Sequence, residues 1–309
     1  MEEQQLPAPE ISVIMLTYNR ENLVGRAVES ILNQTFCNFE FIIVDNGSTD
    51  QSGKIADDYA LKDSRISVIH RERGNIGSGR NTGLAAATGE YIAFIDDDDY
   101  AEPNFLEFLY NLAVSNNADV SICGAYDKVF DEKIIMTSEE ALIQLMWRKR
   151  YNMAFPTKLF NRNLAKKIYF SETDKYDDIS QMHRLLAGAN CIAYHGLPKY
   201  TFYRHESNNS AWTTDHSLMT NETLDEYLRA YRERTQWLCE LFPNSSEAWK
   251  YFEWSFMISM IEKITRLGVN DCSNKLEIMS SELKTNLKEF FYGKYTQKFE
   301  KEWMEKYLV

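Results

Sequence analysis

The sequence predicts an α/β fold, a mixed and mostly parallel sheet flanked by helices, followed by a helical C-terminal extension. Three observations carry this. Short apolar runs alternate with helical stretches over the first third of the chain, the pattern of successive βαβ units. One such run, Tyr91-Ile-Ala-Phe-Ile95, passes without a turn into four consecutive carboxylates, Asp96, Asp97, Asp98 and Asp99, as a strand ending at a functional sheet edge would. After His216 the character changes to long helical patterns rich in Trp, Tyr, Phe and Lys.

The first strand is expected at Ile11–Thr17 and its helix near Glu21–Asn33. Strands at Glu40–Asp45, Ile66–His70 and Tyr91–Ile95 follow, with helices near Ser52–Leu61 and Gly79–Ala87 between them. Pro103 starts a helix running to about Ser115, Asp119–Tyr126 reads as a strand, and Lys199–Arg204 as another. From Thr137 to Tyr203 helix and strand signals mix. Beyond His216 four helical patterns are separated by breaks near Pro243, Gly268 to Asn270 and Gly293. The expected organisation is 1–110 and 111–216 as two halves of one α/β domain and 217–309 as a helical region.

A chain of 309 residues has a prior of about two domains, and 44% hydrophobic content with 13% aromatics is enough for a sizeable core. A net charge of −12 with no basic face in the N-terminal half argues against a nucleic-acid partner. Five dispersed cysteines (Cys37, Cys123, Cys191, Cys239, Cys272) form no CxxC motif and read as reduced thiols of a cytoplasmic protein. The longest apolar stretches, Ile11–Leu16 and Trp254–Ile261, fall far short of the ~18 residues that span a bilayer, and Met1–Glu10 is acidic where a signal peptide is basic.

The strand tips gather the chemistry. Four adjacent carboxylates repel one another by about 3 kcal/mol per pair at ~5 Å and an effective dielectric of ~20, so a cation belongs beside them. Mg²⁺ or Mn²⁺ takes carboxylate oxygens in this way and shares its other positions with phosphates. The plain alternative is a solvated acidic loop capping the helix after Pro103. Asp45, ending Ile42-Ile-Val-Asp45, has the placement to accept a pyrimidine N3–H or a ribose hydroxyl; alternatively Asn46-Gly47 makes a turn while Asp50 caps the next helix. Tyr18 is placed either to stack on a base or to pack its own loop. Gly74-Asn-Ile-Gly-Ser-Gly79-Arg80-Asn-Thr-Gly83 lacks both the Gly-Lys-Ser/Thr of a phosphate loop and the dinucleotide fingerprint. It still opens a helix, so its N–H groups and Arg80 have access to a pyrophosphate; Arg80 as an ion-pair partner of Asp45 or Asp96 is the competing reading.

Taken in order, these segments resemble the inverting glycosyltransferases of family 2, which have the nucleotide-diphospho-sugar transferase (GT-A) fold. The resemblance rests on Ile11-Ser-Val-Ile-Met-Leu-Thr-Tyr-Asn-Arg20, Ser30-Ile-Leu-Asn-Gln-Thr35, Val44 to Asp50, Gly79-Arg-Asn-Thr-Gly-Leu84, and Thr88-Gly-Glu-Tyr91 leading to the acidic run. It implies that Thr17, Tyr18 and Arg20 lie on the nucleotide side, Asp45 and Asn46 at the base edge, and Arg80 at the base or diphosphate. The family's DxD pattern falls on Asp96 and Asp98, with Asp98 matching the direct ligand of Mn²⁺ or Mg²⁺ and Asp97 a residue near ribose and metal. Asn46 departs from the pattern, because many members carry a second Asp there, and this leaves the choice of nucleotide open.

Tyr176-Asp177-Asp178-Ile-Ser-Gln-Met-His-Arg184 is similar to the acidic pair that opens a helix in the family's acceptor half, with Asp178 in the place of the catalytic base and Arg184 at the family offset. A helix N-terminus complemented by acid is the competing account. Tyr203-Arg204-His205 and Ser210 look like the segment after the family's last strand, which would make His205 a further metal ligand. The implied activity is inverting transfer from a nucleotide-diphospho-sugar, a UDP-sugar by resemblance, to a saccharide or lipid-linked glycan acceptor, in bacterial surface polysaccharide or glycan synthesis. A nucleotidyltransferase of similar fold and a non-catalytic nucleotide- or glycan-binding module are the alternatives. Interleaved aromatics and cations at Glu289–Tyr295 and Lys298–Trp303 read as helix-on-helix core, with a peripheral membrane face or a homodimer face as the other readings.

Overall fold

The structure is a computed structural model and describes residues 8–126, 130–205, 208, 211–213 and 215–309. The chain divides into two compact units, Met1–Tyr203 and Arg204–Val309.

The N-terminal unit is built on one nine-stranded sheet. In chain order its elements are β1 (Ile11–Thr17), α1 (Val24–Leu32), β2 (Phe39–Asp45), α2 (Ser52–Ala60), β3 (Ile66–His70), α3 (Ile76–Ala86), β4 (Tyr91–Asp96), β5 (Tyr100–Ala101), α4 (Phe105–Ser115), β6 (Val120–Ala125), β7 (Lys133–Met136), α5 (Ser138–Trp147), β8 (Lys158–Asn161), α6 (Arg162–Ala165), α7 (Asp177–Ala187) and β9 (Ile192–Thr201). The strand order is β3-β2-β1-β4-β8-β6-β9-β5, with β7 also pairing β9. Pairs β1–β2, β2–β3, β1–β4 and β6–β9 are parallel, whereas β8 is antiparallel to both neighbours.

The expected strands and helices of the first third are present, with shifted ends. Helix α1 begins at Val24, because Arg20 to Leu23 form turns, and α3 starts three residues earlier than the glycine spacing indicates because Asn75 caps it, accepting from Ser78 N at 2.8 Å. The final strand, expected at Lys199–Arg204, runs over Ile192–Thr201 instead. Its first half, Ile192 to Tyr194, is fully buried and pairs β6, a signal that carries no alternation.

Register places the site. Thr17 lies beside Asp45, Asp45 beside His70, and Leu16 beside Asp96, so β1 to β4 deliver their C-terminal residues to one edge, where strand order reverses around β1. Strands β1 and β4 are buried along nearly their whole length, as expected of strands covered on both faces. Helix α3 lies close on β1 because its crossing positions are glycines: a Cβ at Gly83 would sit 2.4 Å from Ile14 Cγ2. Phe94, Phe155, Phe160 and Phe170 form an aromatic floor under the tip of β4, with ring centroids 5.1–6.4 Å apart.

The C-terminal unit is helical: α8 (Asn221–Leu241), α9 (Ser246–Leu267), α10 (Ser273–Thr285), α11 (Leu287–Tyr292) and α12 (Lys298–Tyr307), with short 3₁₀ turns before α9 and before α10. Helix α9 is its centre, burying Trp249, Phe252, Met257, Ile258 and Ile261. Of the interleaved aromatic stretch, Phe290 and Met304 enter this core, while Tyr292 and Phe299 are exposed. Glu300, 1% exposed, is satisfied inside it by Ser255 Oγ, by Tyr251 OH at 3.4 Å and by Gln297 N at 2.8 Å. No helix among the described residues is long and apolar enough to cross a membrane.

Candidate functional site

The acidic tip of β4 is not a loose loop. Alternate carboxylates are tied into the scaffold: Asp97 Oδ2 accepts from Tyr18 N at 3.2 Å and faces Arg20 Nε at 3.8 Å, while Asp99 accepts from Tyr200 OH at 2.9 Å and Tyr203 N at 2.7 Å. The same Tyr200 hydroxyl accepts from Asp96 N at 3.2 Å. The Asp98 carbonyl accepts from Arg26 Nη2. Asp96 keeps 42% of its side chain exposed and faces Arg80 Nη2 at 3.8 Å.

Burial concentrates unrelieved negative charge here. Protein packed around the base of Asp96 raises its carboxyl above the ordinary value although the side chain stays partly open to solvent, an effect that Arg80 opposes and Asp98 reinforces. Asp99 is pushed up to about 8 by burial and then by Asp96 and Asp98, against the hydrogen bonds from Tyr203 and Tyr200. Asp97 stands well above the usual carboxylate range, through burial and then Asp98. Among the described residues no three His, Cys, Asp or Glu side chains converge to hold a metal ion by themselves. The donor set nevertheless fits one: hard carboxylate oxygens, in excess of nearby cations, suit a divalent ion that is held by one or two carboxylates and completed by phosphate oxygens.

The residues expected on the nucleotide side come together around this tip, several of them already engaged. Asp45, 6% exposed, accepts from Ser48 N at 3.0 Å with one oxygen and meets His70 Nδ1 at 3.0 Å with the other. Asn46 braces the following loop: its Nδ2 donates to Gly74 O at 2.9 Å and its Oδ1 accepts from Gly74 N at 3.3 Å. The Tyr18 ring lies 3.4 Å from the Arg73 guanidinium. Thr17 is buried, and its hydroxyl lies beside the Asp97 carboxylate, whose charged form it favours. Arg20 N donates to Ser52 Oγ at 2.7 Å, and Asp50 accepts from Ser52 N at 2.9 Å, so Asp50 does stabilise the start of α2.

Arg80 is 8% exposed, not a surface side chain. Its Nε donates to Asp177 Oδ2 at 2.5 Å, and its guanidinium lies 4.7 Å from the Phe155 ring and 5.1 Å from the Phe94 ring. It therefore ties the β4 tip to the start of α7, where Asp178 stands. Asp178 Oδ1 accepts from Ile179 N at 2.8 Å. Burial and then Asp177 raise the Asp178 carboxyl above its ordinary value, against Arg148, the Ile179 N–H and Arg80. Arg184 is exposed in the last turn of α7. His205 falls in the C-terminal unit, where its backbone N–H donates to Asn208 Oδ1 at 2.6 Å, and Ser210 lies outside the described residues.

Tyr203 was marked in the sequence only as part of the segment after the last strand, and sequence reasoning missed Arg26, Arg73, His70 and Tyr200. Each meets its partner through tertiary contact alone, and none sits in a pattern that marks it. His70 had one available signal, a polar residue ending a strand at the functional edge.

The model of "Glycosyl transferase family 2" matches residues 12–184. Glycosyltransferase GlyG of Streptococcus pneumoniae is 33% identical over 218 residues, covering 64% of this chain and 72% of that one. Putative glycosyltransferase EpsH of Bacillus subtilis is 33% identical, covering 66% and 63%. Cholesterol galactosyltransferase of Borreliella burgdorferi is 35% identical over 240 residues, covering 69% and 67%. Among solved structures, S. aureus TarS 1-349 in complex with UDP-GlcNAc shares the fold with a TM-score of 0.63 at 21% identity, covering 91% of this chain and 89% of that one. Mannosyltransferase PcManGT from Pyrobaculum calidifontis, in complex with GDP-Man and Mn²⁺, does so with a TM-score of 0.59 at 16% identity, covering 97% and 85%. The matched region runs from β1 through all four strand tips to the acidic pair of α7 and Arg184, and on that span this chain, with its GT-A architecture, belongs to glycosyl transferase family 2.

Proposed function

We propose that this glycosyltransferase moves a sugar from a nucleotide-diphospho-sugar, a UDP-sugar by preference, to an acceptor hydroxyl with inversion at the anomeric carbon. The observation that carries this reading is the junction made by Arg80, which holds Asp96 of the acidic tip and Asp177 of the α7 opening on one guanidinium. That junction brings a site for an anionic donor and a partly buried carboxylate into one half of the molecule.

Asp178 takes the proton of the attacking acceptor hydroxyl. Its raised proton affinity suits that task, and a positioned carboxylate base is worth ~10²–10⁴-fold. One base and attack opposite the departing diphosphate give inversion. Asp96 and Asp98 would hold Mn²⁺ or Mg²⁺, which when bound supplies neutralisation of the charge that develops on the leaving nucleoside diphosphate. Thr17, Tyr18 and Arg20 line the nucleotide side, with Tyr18 offering its ring to the base. Support for the donor class comes from TarS, solved with UDP-GlcNAc, and PcManGT, solved with GDP-Man and Mn²⁺. The acceptor is a saccharide or lipid-linked glycan of surface polysaccharide synthesis, and the similarity to a cholesterol galactosyltransferase is in keeping with a lipid-borne hydroxyl.

The test is a panel of nucleotide-sugars incubated with Mn²⁺, read by release of nucleoside diphosphate. UDP release from at least one UDP-sugar is expected. Pyrophosphate release from a nucleoside triphosphate in its place would make the protein a nucleotidyltransferase. Asp178→Asn should bind UDP as the parent does and lose transfer, and retained turnover would remove Asp178 from the mechanism.

A further inference from the structure

Arg26 lies on α1, away from the strand-end loops that carry the other charged groups of the site, and it is built against the acidic tip. Its Nη2 donates to the Asp98 main-chain carbonyl. Its guanidinium is packed between two aromatic rings, 5.0 Å from the Tyr100 centroid and 4.1 Å from that of Tyr203. Its Nε is buried with no hydrogen-bond partner among the described residues, so the side chain is held by the stack and this single donation. Tyr203 closes the bracket from the other side, because its N–H donates to Asp99 Oδ1 at 2.7 Å. Helix α1 and the residue two beyond the end of β9 thus hold the Asp98 main-chain carbonyl and the Asp99 side-chain carboxylate of the tip.

The geometry points to Arg26 as a positioning residue for the cation site: by holding the Asp98 main-chain carbonyl while its own guanidinium is fixed between Tyr100 and Tyr203, it aims the Asp98 carboxylate. This inference rests on the metal reading of Proposed function. The chemistry offers a discriminating sign. A guanidinium near the tip repels a divalent cation, so an Arg26 acting only as counter-charge to four carboxylates would weaken Mn²⁺ binding, and its removal would strengthen it. A positioning role gives the opposite. Groups that orient a ligand of a metal contribute about 10–100-fold to metal affinity.

The experiment is a calorimetric titration of Mn²⁺ into the full chain at saturating UDP, paired with UDP binding in EDTA. Arg26→Met should raise the Mn²⁺ Kd about tenfold or more, with metal-free UDP binding unchanged. Tyr203→Ala, which keeps the N–H bond to Asp99, should raise it in the same direction by a smaller factor. Arg26→Met binding Mn²⁺ as tightly as the parent, or more tightly, overturns the inference. Where Arg26→Met loses its far-UV dichroism, Arg26→Lys decides: it keeps the charge without the two-ring stack, so a weakened Kd supports positioning and an unchanged one overturns it. A parent chain that binds no Mn²⁺ with UDP present sinks the metal reading itself, a different outcome from a parent that binds and variants that match it.

Discussion

Arg80 and Asp177 stand 97 residues apart in the chain and meet at 2.5 Å, one 8% and the other 4% exposed. Asp96 lies 3.8 Å from the same guanidinium, and Asp178 adds its field from the neighbouring position. The phenyl rings of Phe94, Phe155 and Phe170 surround this charge, at 5.1, 4.7 and 5.9 Å. In such surroundings a single cation shared by several carboxylates is costly to remove, because its loss leaves buried anions without compensation.

Arg80→Met should therefore lower the free energy of unfolding by roughly 3–5 kcal/mol, the range for breaking a buried pair from one side. Asp177→Leu in the same background should recover part of that loss, since removing both charges eliminates the stranded anion. Urea unfolding of the two single variants and the double variant closes the cycle. Additive losses would mean that the two side chains are energetically independent despite their contact.

The relation between these residues also shows where the sequence was informative. Strands β1 to β4 and the helices between them were legible because local pattern and tertiary fate agree: continuous apolar runs are covered on both faces, and polar residues follow at the strand ends. Asp96 to Asp99 were readable as a site because four adjacent carboxylates demand compensation. The sequence did not indicate that Asp97 and Asp99 are absorbed by Tyr18, Tyr200 and Tyr203, because these bonds join positions up to 104 residues apart. Arg80 stood out in the sequence as an ion-pair candidate but its main partner did not, since Asp45, Asp96 and Asp177 are equivalent anions until the chain is folded. Strand β9 was misplaced toward its polar end because its buried half pairs β6 and alternates with nothing.

Gly83 reports on the α3–β1 contact. An alanine Cβ there would stand 2.4 Å from Ile14 Cγ2, and Ile14 is fully buried in the centre of the sheet with no space to retreat. Gly83→Ala should gain helix propensity and still lose about 1–3 kcal/mol through overpacking. Pairing it with Ile14→Leu, which removes the β-branch methyl that the new Cβ would meet, should restore part of the loss in thermal unfolding. A more stable Gly83→Ala alone would show that α3 shifts freely on β1.

His70 couples stability to pH at the end of β3, beside Asp45. Its ring joins Asp45 at 3.0 Å and Asp57 at 3.0 Å, and those two hydrogen bonds hold its proton affinity above the ordinary value. A group raised in the folded state stabilises fully below its unfolded pKa, about 6.5, and this contribution fades as pH rises through the folded value. The ring is half exposed, so the effect is small. Parent minus His70→Gln stability, from urea midpoints across pH 5 to 9 at constant salt, should be largest at the acid end and shrink upward. A difference that grows with pH would reverse the assigned sign.

Lys158 gives the opposite slope. It is fully buried on β8, its Nζ donates to Ala154 O at 2.6 Å, and burial pushes its ammonium down to about 7 against the pull of Cys123 and Asp178. An unfolded lysine titrates near 10.4, so between about 7 and that value the unfolded chain binds a proton that the folded chain does not, and stability rises with pH by at most about 1.4 kcal/mol per unit. Below that window the folded protein carries the full cost of a buried charge. Lys158→Met, close in volume and uncharged, should be the more stable protein at pH 6, with its advantage narrowing steadily toward pH 10. The comparison needs only urea unfolding of the two chains at several pH values. Parallel profiles would mean that Lys158 keeps its proton in both states, held by the Ala154 carbonyl and the anionic surroundings that α7 supplies.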